Sequence, residues 1–357
     1  IQRDAAQYDP RLAMDVELLW DFLMETQEET MEYLLKKLSK ETIINLINTE
    51  IVKGGFLFAL KEGVFIENKQ LRLLYRKPAT SFNEKSLQQY QANRLSVIEE
   101  VVYEEDDRID LVIFINGLAL FAIELKFNPN GQSVQDAIKQ LKGRNPKNRL
   151  FRFEQGVLAS FAVDTLEVYM TTQLKGQETY FLPLNMGKGE GIETGSGNPH
   201  NPDGVDTEYL WLDVLTMDSI LQLVESFIFY EVDKTNSKKK TLIFPRYHQR
   251  RAVSRLLEDM KTNHTDNNYL IQHSAGSGKT NTIAWLAHSL VSLHDDQNRN
   301  IVDTVLIVTD RIVVDRQLQD AVRQINHKNG VVKVMGDRET SSDLADAIAG
   351  NTKIIAT

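Results

Sequence analysis

The sequence predicts an α/β protein built from two segments of different character. Three observations carry this. Apolar strand-like runs and amphipathic stretches share the first part of the chain, strands and helices alternate in the second, and a glycine-rich turn ending in Gly278-Lys279-Thr280 stands where that alternation begins. At 357 residues the chain holds two to three domains of about 150 residues. Its hydrophobic share of 42% and charged share of 25% are those of a globular protein and exclude a wholly disordered chain. Fifty acidic residues against 41 basic ones give a formal charge of −9, which argues against a coat for nucleic acid but leaves room for a local basic groove. With no cysteine, a disulfide framework, a cysteine nucleophile, an iron–sulfur cluster and a Cys-ligated zinc site are all excluded, and a reducing compartment is favoured.

Along the chain, residues 11–47 read as helical, with Leu12, Val16, Leu19, Phe22 and Leu23 at three- and four-residue steps. Gly54-Gly55 breaks that pattern, and residues 56–60, 64–66 and 71–75 read as short strands. Residues 86–97 predict a helix, with Ser81 and Asn83 as possible start signals. Two apolar strands flank Asn116-Gly117, a dipeptide that signals a hairpin. A helix follows at 132–142, strands at 156–163 and 166–172, an exposed loop at 187–204 and a helix at 217–229. The polar run 233–240, ending in three lysines, reads as a linker, which divides the chain at 237/238 after a helical lead-in over 1–50. Those lysines read more simply as solvated than as a DNA contact. Beyond them the pattern predicts helix 250–260, strand 269–272, helix 280–291, strand 305–308, helix 313–325, strand 331–334, helix 343–348 and strand 353–356. Such alternation implies a parallel sheet covered on both faces.

No membrane span is expected, because the most apolar stretch, 111–123, is interrupted by Asn116-Gly117 and falls short of roughly 20 residues. No signal peptide is visible, and the first residue is not Met, so the natural N-terminus is expected to lie upstream.

His273-Ser274-Ala275-Gly276-Ser277-Gly278-Lys279-Thr280 carries the pattern of a phosphate-binding loop. Gly276 and Gly278 let backbone N–H groups of the loop, Ala275 and Ser277 included, turn toward phosphate oxygens, and the following helix aims its positive end at the same anion. Lys279 reaches the β- and γ-phosphates of ATP, and the Thr280 hydroxyl holds its Mg²⁺. The strict pattern has glycine where His273 stands. Gln249, thirty residues before Lys279, has the paired donor and acceptor that match the adenine edge. Arg246, Arg250 and Arg251 either hold phosphates or face water. The loop resembles that of helicase-like motors, in which an acidic Asp-Glu motif follows; none stands before Thr357, so the resemblance implies a chain that stops inside the first motor lobe.

In the first segment, Asp110 opens one apolar strand and Glu124-Leu125-Lys126 closes the next. Two carboxylates at the ends of adjacent strands can share Mg²⁺, with the Leu125 carbonyl as a further oxygen ligand. Lys126, two residues beyond Glu124, projects on the same face, where it can orient water or steady a pentavalent phosphate. The alternative is a structural Lys–carboxylate cluster on the sheet rim. The metal reading sets a geometric demand. A plain two-residue turn pairs Ile115 with Leu118 and carries Asp110 opposite Ile123, leaving Glu124 and Lys126 on the other face. A one-residue offset is therefore required. A three-residue loop with Gly117 in a G1 bulge would set Asp110 opposite Ala122; otherwise a bulge lies nearer the site.

Together these residues carry a resemblance. Phe82-Asn83, Tyr90, Ala92-Asn93-Arg94, Ile109-Asp110-Leu111, Asn116-Gly117-Leu118 and Ile123-Glu124-Leu125-Lys126 read like the nuclease block of the restriction subunits of type I restriction–modification enzymes. Met170-Thr171-Thr172, Phe181-Leu182-Pro183 and Gly197-Asn198-Pro199 resemble its later stretch, and Val305–Thr309 with Asp310-Arg311 resembles a second motor strand and its DNA-facing loop. The resemblance covers roughly residues 50–357. It implies a PD-(D/E)xK nuclease, a mixed sheet flanked by helices, followed by the first part of a RecA-like, superfamily 2 parallel α/β motor. It further implies Mg²⁺-dependent cleavage of double-stranded DNA, ATP-driven translocation, methyltransferase and specificity subunits as partners, and a cytoplasmic bacterial or archaeal setting. The family's Gln-x-x-x-Tyr on the next helix assigns Gln140 to the catalytic set, but Arg144 stands where tyrosine is expected. A self-contained helicase–nuclease of another restriction or repair system, and a motor joined to a non-catalytic DNA clamp, are the alternatives.

Overall fold

The computed structural model describes the chain except residues 79–82, 106, 190–196, 234, 237–238, 296, 310–311, 326–330, 336–338 and 351, and the side chains of 312–317. Ser81, Phe82, Lys238, the pair Asp310-Arg311 and part of the expected loop at 187–204 thus lie outside the described residues. The chain forms two compact units, the first holding Ile1–Lys77 and Glu84–Glu225, the second Ser226–Thr357 together with Pro78 and Asn83.

Short strands β1 (Gln2–Arg3), β2 (Tyr8–Asp9) and β3 (Met14–Asp15) precede α1 (Val16–Thr26), α2 (Glu28–Leu35), α3 (Lys40–Gly54) and α4 (Phe56–Glu62). Asp15 caps α1 by accepting from the Leu18 N–H at 3.0 Å and pairs with Arg3 at 2.8 Å. The run 56–60, expected as a strand, is helix α4; short apolar runs do not discriminate, and its buried Phe56, Leu57, Ala59 and Leu60 fall at helical spacing. β4 (Val64–Ile66) pairs with β5 (Lys69–Leu71), which ends before the expected strand over 71–75 does. The expected helix 86–97 is instead α5 (Glu84–Gln91) followed by the start of β6 (Leu95–Glu104). The reason is tertiary: Leu95 pairs with Ile115, and the Arg94 N–H donates to Asn116 Oδ1 at 2.6 Å.

β7 (Asp107–Ile115), β8 (Leu118–Leu125), β9 (Ala159–Val163), β10 (Val168–Thr171) and β11 (Leu182–Pro183) complete a mixed sheet in the order β1-β6-β7-β8-β9-β10-β11, with β3 also pairing β8. β8 and β9 run parallel, and α6 (Val134–Gly143) crosses between them in sequence. Val134, Ala137 and Leu141 of α6 pack on the sheet with Ile109, Val112, Ala122 and Ala162. Asp164 fixes the start of α6, since its Oδ2 accepts from the Val134 N–H at 2.7 Å. α7 (Met217–Gln222) passes into a π-helical turn over Leu223–Phe227, so the expected helix 217–229 ends early.

In the second unit the expected linker lies in the connection of a hairpin, β12 (Phe229–Val232) with β13 (Lys240–Ile243). Then come α8 (Tyr247–Asn263), α9 (Lys279–Leu290), β14 (Val305–Ile307), α10 (Ile312–Ile325), β15 (Val332–Val334), α11 (Ser341–Ala349) and β16 (Ile354–Ala356). β14-β16-β15 form a parallel sheet, as the alternation implies. Ala284, Ala287, Leu318, Val322, Ile354 and Ala356 form the core between α9, α10 and the sheet. The expected strand 269–272 is not formed among the described residues; Tyr269, Leu270 and Ile271 are exposed, without the ladder that would make this apolar run a strand. Among the described residues no single helix is long and apolar enough to cross a membrane.

Candidate functional site

The β7–β8 hairpin builds the first site. Its turn is Asn116-Gly117, both at positive φ (50° and 81°), which makes a two-residue turn that pairs Ile115 with Leu118. The expected three-residue loop at Gly117 is therefore absent. The offset arises in the strand instead: Phe114 pairs with Ala119, but Ile113 pairs with Phe121, leaving Leu120 as the extra residue. Its carbonyl is used, accepting from the Leu158 N–H at 2.9 Å. Beyond the bulge Leu111 pairs with Ile123, so Asp110 comes opposite Glu124 rather than Ala122, and both carboxylates share a face.

The turn is held by buried amides. Asn116 Nδ2 donates to the Leu73 carbonyl at 3.0 Å and to Asn93 Oδ1 at 2.9 Å, while Asn93 Nδ2 donates to the carbonyls of Tyr75 and Tyr90. The Ala92-Asn93-Arg94 and Asn116-Gly117-Leu118 motifs thus serve the fold of the site.

Asp110 Oδ2 accepts from the Leu125 N–H at 2.6 Å, tying the two strand ends together. Glu124 is fully buried, and both its oxygens are engaged: Oε1 accepts from Lys126 Nζ at 3.0 Å and Oε2 from Arg144 Nη2 at 3.0 Å. Burial first, then the neighbouring Asp110 charge, pushes the Glu124 carboxyl above the usual carboxylate range, against the pull of Lys126 and Arg144. Lys126 Nζ also donates to the Leu125 carbonyl at 3.0 Å. A cation therefore already rests on Glu124 Oε1 and the Leu125 carbonyl, two oxygens expected to ligate a metal. Asp110 Oδ1 makes no hydrogen bond among the described residues. Two carboxylates and a carbonyl on one rim fit Mg²⁺, which keeps several waters and needs few protein ligands. Among the described residues no cluster of three or more His, Cys, Asp or Glu forms a larger metal site.

Gln140 is exposed on α6 and makes no hydrogen bond to Asp110, Glu124 or Lys126 among the described residues. Arg144, just past the end of α6, is brought in instead. Its Nη1 donates to the Tyr103 hydroxyl at 3.1 Å and to Asp107 Oδ1 at 3.0 Å, and its Nη2 to the Arg108 carbonyl at 2.7 Å as well as to Glu124. The guanidinium also lies 5.6 Å from the Tyr103 ring centroid, and burial pushes that phenol up to about 12. Sequence reading missed Tyr103 and Asp107; the one signal was the departure at Arg144 itself.

The second site is the glycine-rich turn. Gly276 and Gly278 take positive φ (73° and 84°), and Lys279 opens α9. Lys279 Nζ donates to the carbonyls of His273 and Ser274 at 3.0 and 2.9 Å. Ser277 Oγ and His273 Nδ1 are buried without a partner among the described residues. Ala275 is exposed and Thr280 half-buried. Gln249 is buried in the first turn of α8, where its Nε2 donates to the Gly278 carbonyl at 2.9 Å and its Oε1 accepts from the Arg246 N–H at 2.8 Å. The loop and the glutamine are thus in contact, although the strand expected before the loop is not formed.

Residues 16–179 match the family described as type I restriction enzyme R protein N terminus, and residues 242–355 match that of the type III restriction enzyme res subunit. The chain is similar to a putative type I restriction enzyme MjaVIIIP endonuclease subunit of Methanocaldococcus jannaschii, with 26% identity over 94% of this chain and 31% of that protein. It is also similar to the type I restriction enzyme SauCOLORF180P endonuclease subunit of Staphylococcus aureus (strain COL), with 25% identity over 74% of this chain and 27% of that protein. The chain thus spans about a third or less of the length of these relatives.

Proposed function

From a chain that belongs to the family of type I restriction enzyme R subunits, we propose the activity of an ATP-driven DNA translocase that cleaves double-stranded DNA in a Mg²⁺-dependent reaction. The nuclease is assigned to residues 1–237 and the first part of the motor to 238–357. The observation that carries the nuclease reading is the Leu120 bulge, which gathers Asp110, Glu124 and Lys126 on one face at the rim of the sheet. Asp110, Glu124 and the Leu125 carbonyl would hold Mg²⁺, which supplies Lewis-acid polarisation of the phosphodiester and a more acidic bound water. Lys126 holds its ammonium beside the same oxygens and would steady the negative charge that builds on the non-bridging phosphate oxygens. Gln140, exposed on α6 one turn before Arg144, would join the catalytic set from that helix.

In the motor segment Ala275–Gly278 would cradle the phosphates of ATP. Lys279 exchanges its backbone carbonyl partners for phosphate oxygens, and Thr280 offers a hydroxyl to the nucleotide's Mg²⁺. Gln249 would read adenine from the helix that braces the loop. DNA is the substrate in this reading, and methyltransferase and specificity subunits are its partners, as the likeness to type I restriction enzymes implies.

One observation favours a second reading: both Glu124 oxygens are ion-paired, as in a structural cluster that would make the first unit a DNA clamp. Incubating the chain with supercoiled plasmid and Mg²⁺ separates the two. Nicking that is lost in Glu124→Ala and Lys126→Ala supports the nuclease; equal nicking by wild type and variants, or none by either, supports the clamp.

A further inference from the structure

Arg144 is 6% exposed, yet it spends a full positive charge inside the first unit. Its fork reaches three strands at once: the Tyr103 hydroxyl on β6, Asp107 and the Arg108 carbonyl on β7, and Glu124 on β8. Burying such a group is costly unless each contact is made, and removing one member leaves the others uncompensated. A residue that reads DNA phosphate must reach solvent; this one is covered, and its two terminal nitrogens are committed to protein oxygens, while Nε is buried without a partner among the described residues. The geometry also divides the work at Glu124. Oε2 is taken by Arg144, while Oε1 is shared with Lys126, whose ammonium also lies on the Leu125 carbonyl. Only Oε1 is therefore on the side where a cation is already held.

We propose that Arg144 is a positioning residue that locks the Glu124 carboxylate through Oε2, so that Oε1 is presented for divalent-cation binding beside Asp110 and the Leu125 carbonyl. This rests on the nuclease reading of the site. An oriented ligand binds its metal without first being ordered, and loss of such a supporting partner typically costs about 10–100-fold in metal affinity. Lysine cannot substitute fully, because a point-like ammonium does not reproduce a planar fork spanning three strands.

The test is calorimetric titration of the full chain with Ca²⁺, a hard cation that allows binding to be read apart from cleavage. Duplex DNA binding without metal and the melting temperature are measured in parallel. Glu124→Gln should abolish or strongly weaken Ca²⁺ binding. Arg144→Ala should weaken it by about 10-fold or more, Arg144→Lys by less, with DNA affinity unchanged in both. If Arg144→Ala does not fold, Arg144→Lys carries the comparison, and Ca²⁺ affinity equal to wild type then overturns the proposal. Unchanged Ca²⁺ affinity in a folded Arg144→Ala protein, with or without a loss of DNA binding, overturns it while leaving the nuclease reading intact. If wild type binds no Ca²⁺, or Glu124→Gln binds it equally, the nuclease reading fails and the proposal with it.

Discussion

The Asp110 carboxylate accepts a 2.6 Å hydrogen bond from the backbone N–H of Leu125, the residue between the two other charged groups of the site. One oxygen of Asp110 therefore fixes the ends of β7 and β8 to each other, while its second oxygen remains available. The bond requires the offset at Leu120; in an unbulged hairpin Asp110 would be set opposite Ile123 and the two carboxylates would point to opposite faces.

The turn that closes this hairpin should be intolerant of a side chain at Gly117. A Cβ there would lie 2.4 Å from the Asp15 carbonyl oxygen and 2.6 Å from the Leu19 nitrogen, at a φ of 81°. Gly117→Ala should cost about 2–4 kcal/mol through steric overlap and backbone strain. Thermal melting of the variant should show a drop of several degrees; a melting temperature equal to wild type would mean that the α1 start does not pack on the turn as described.

Lys279→Ala should reduce nucleotide affinity, because the ammonium that now lies on the His273 and Ser274 carbonyls is the charge available to the phosphates. In the complete protein, ATP hydrolysis and translocation should be lost. Titration with a fluorescent ATP analogue reads the binding, and an affinity unchanged by the substitution would remove the phosphate role of the loop.

Gln249→Ala should reduce binding of ATP more than binding of GTP. The amide is held against the loop by Gly278 and Arg246, so a donor and an acceptor stand beside the loop proposed to hold the nucleotide. Equal losses for both nucleotides would reduce Gln249 to a brace for the loop.

Acid should weaken the second unit. Burial holds the His288 pKa below its ordinary value, against the Val322 carbonyl bonded at 2.6 Å. The native ring stays neutral where the unfolded chain takes up a proton, so its contribution is complete above about pH 6.5 and is lost as pH falls below that value. Burial shifts His248 and His273 in the same direction. Melting between about pH 7.5 and about pH 5.5 should show a falling transition, with a smaller fall in His288→Gln; a transition that is flat or rises on acidification would contradict the sign.

Much of this was readable from sequence because local and tertiary preferences agree. The alternation after Arg250, the Asn116-Gly117 turn and the apolar face of α6 all carry their own signal. The demand for an offset between β7 and β8 was legible from the chemistry, but its place was not. Both faces of both strands are apolar, so no polar residue marks Leu120 as the extra one. Residues 56–60 read as a strand because a short apolar run has no period of its own. The helix expected to continue to Val97 is overridden by pairing with β7, a contact between distant segments. Arg144 stood out as a departure, but its partners lie on strands that only the fold brings together.

Glu124 is the residue on which the nuclease reading depends. The most direct measurement is cleavage of circular double-stranded DNA in Mg²⁺ by the complete protein, with ATP hydrolysis followed in the same reaction. Glu124→Ala should abolish cleavage while ATP hydrolysis continues, and Lys279→Ala should stop hydrolysis. Cleavage by Glu124→Ala at the wild-type rate would contradict the nuclease reading and leave Asp110, Glu124 and Lys126 as a structural cluster.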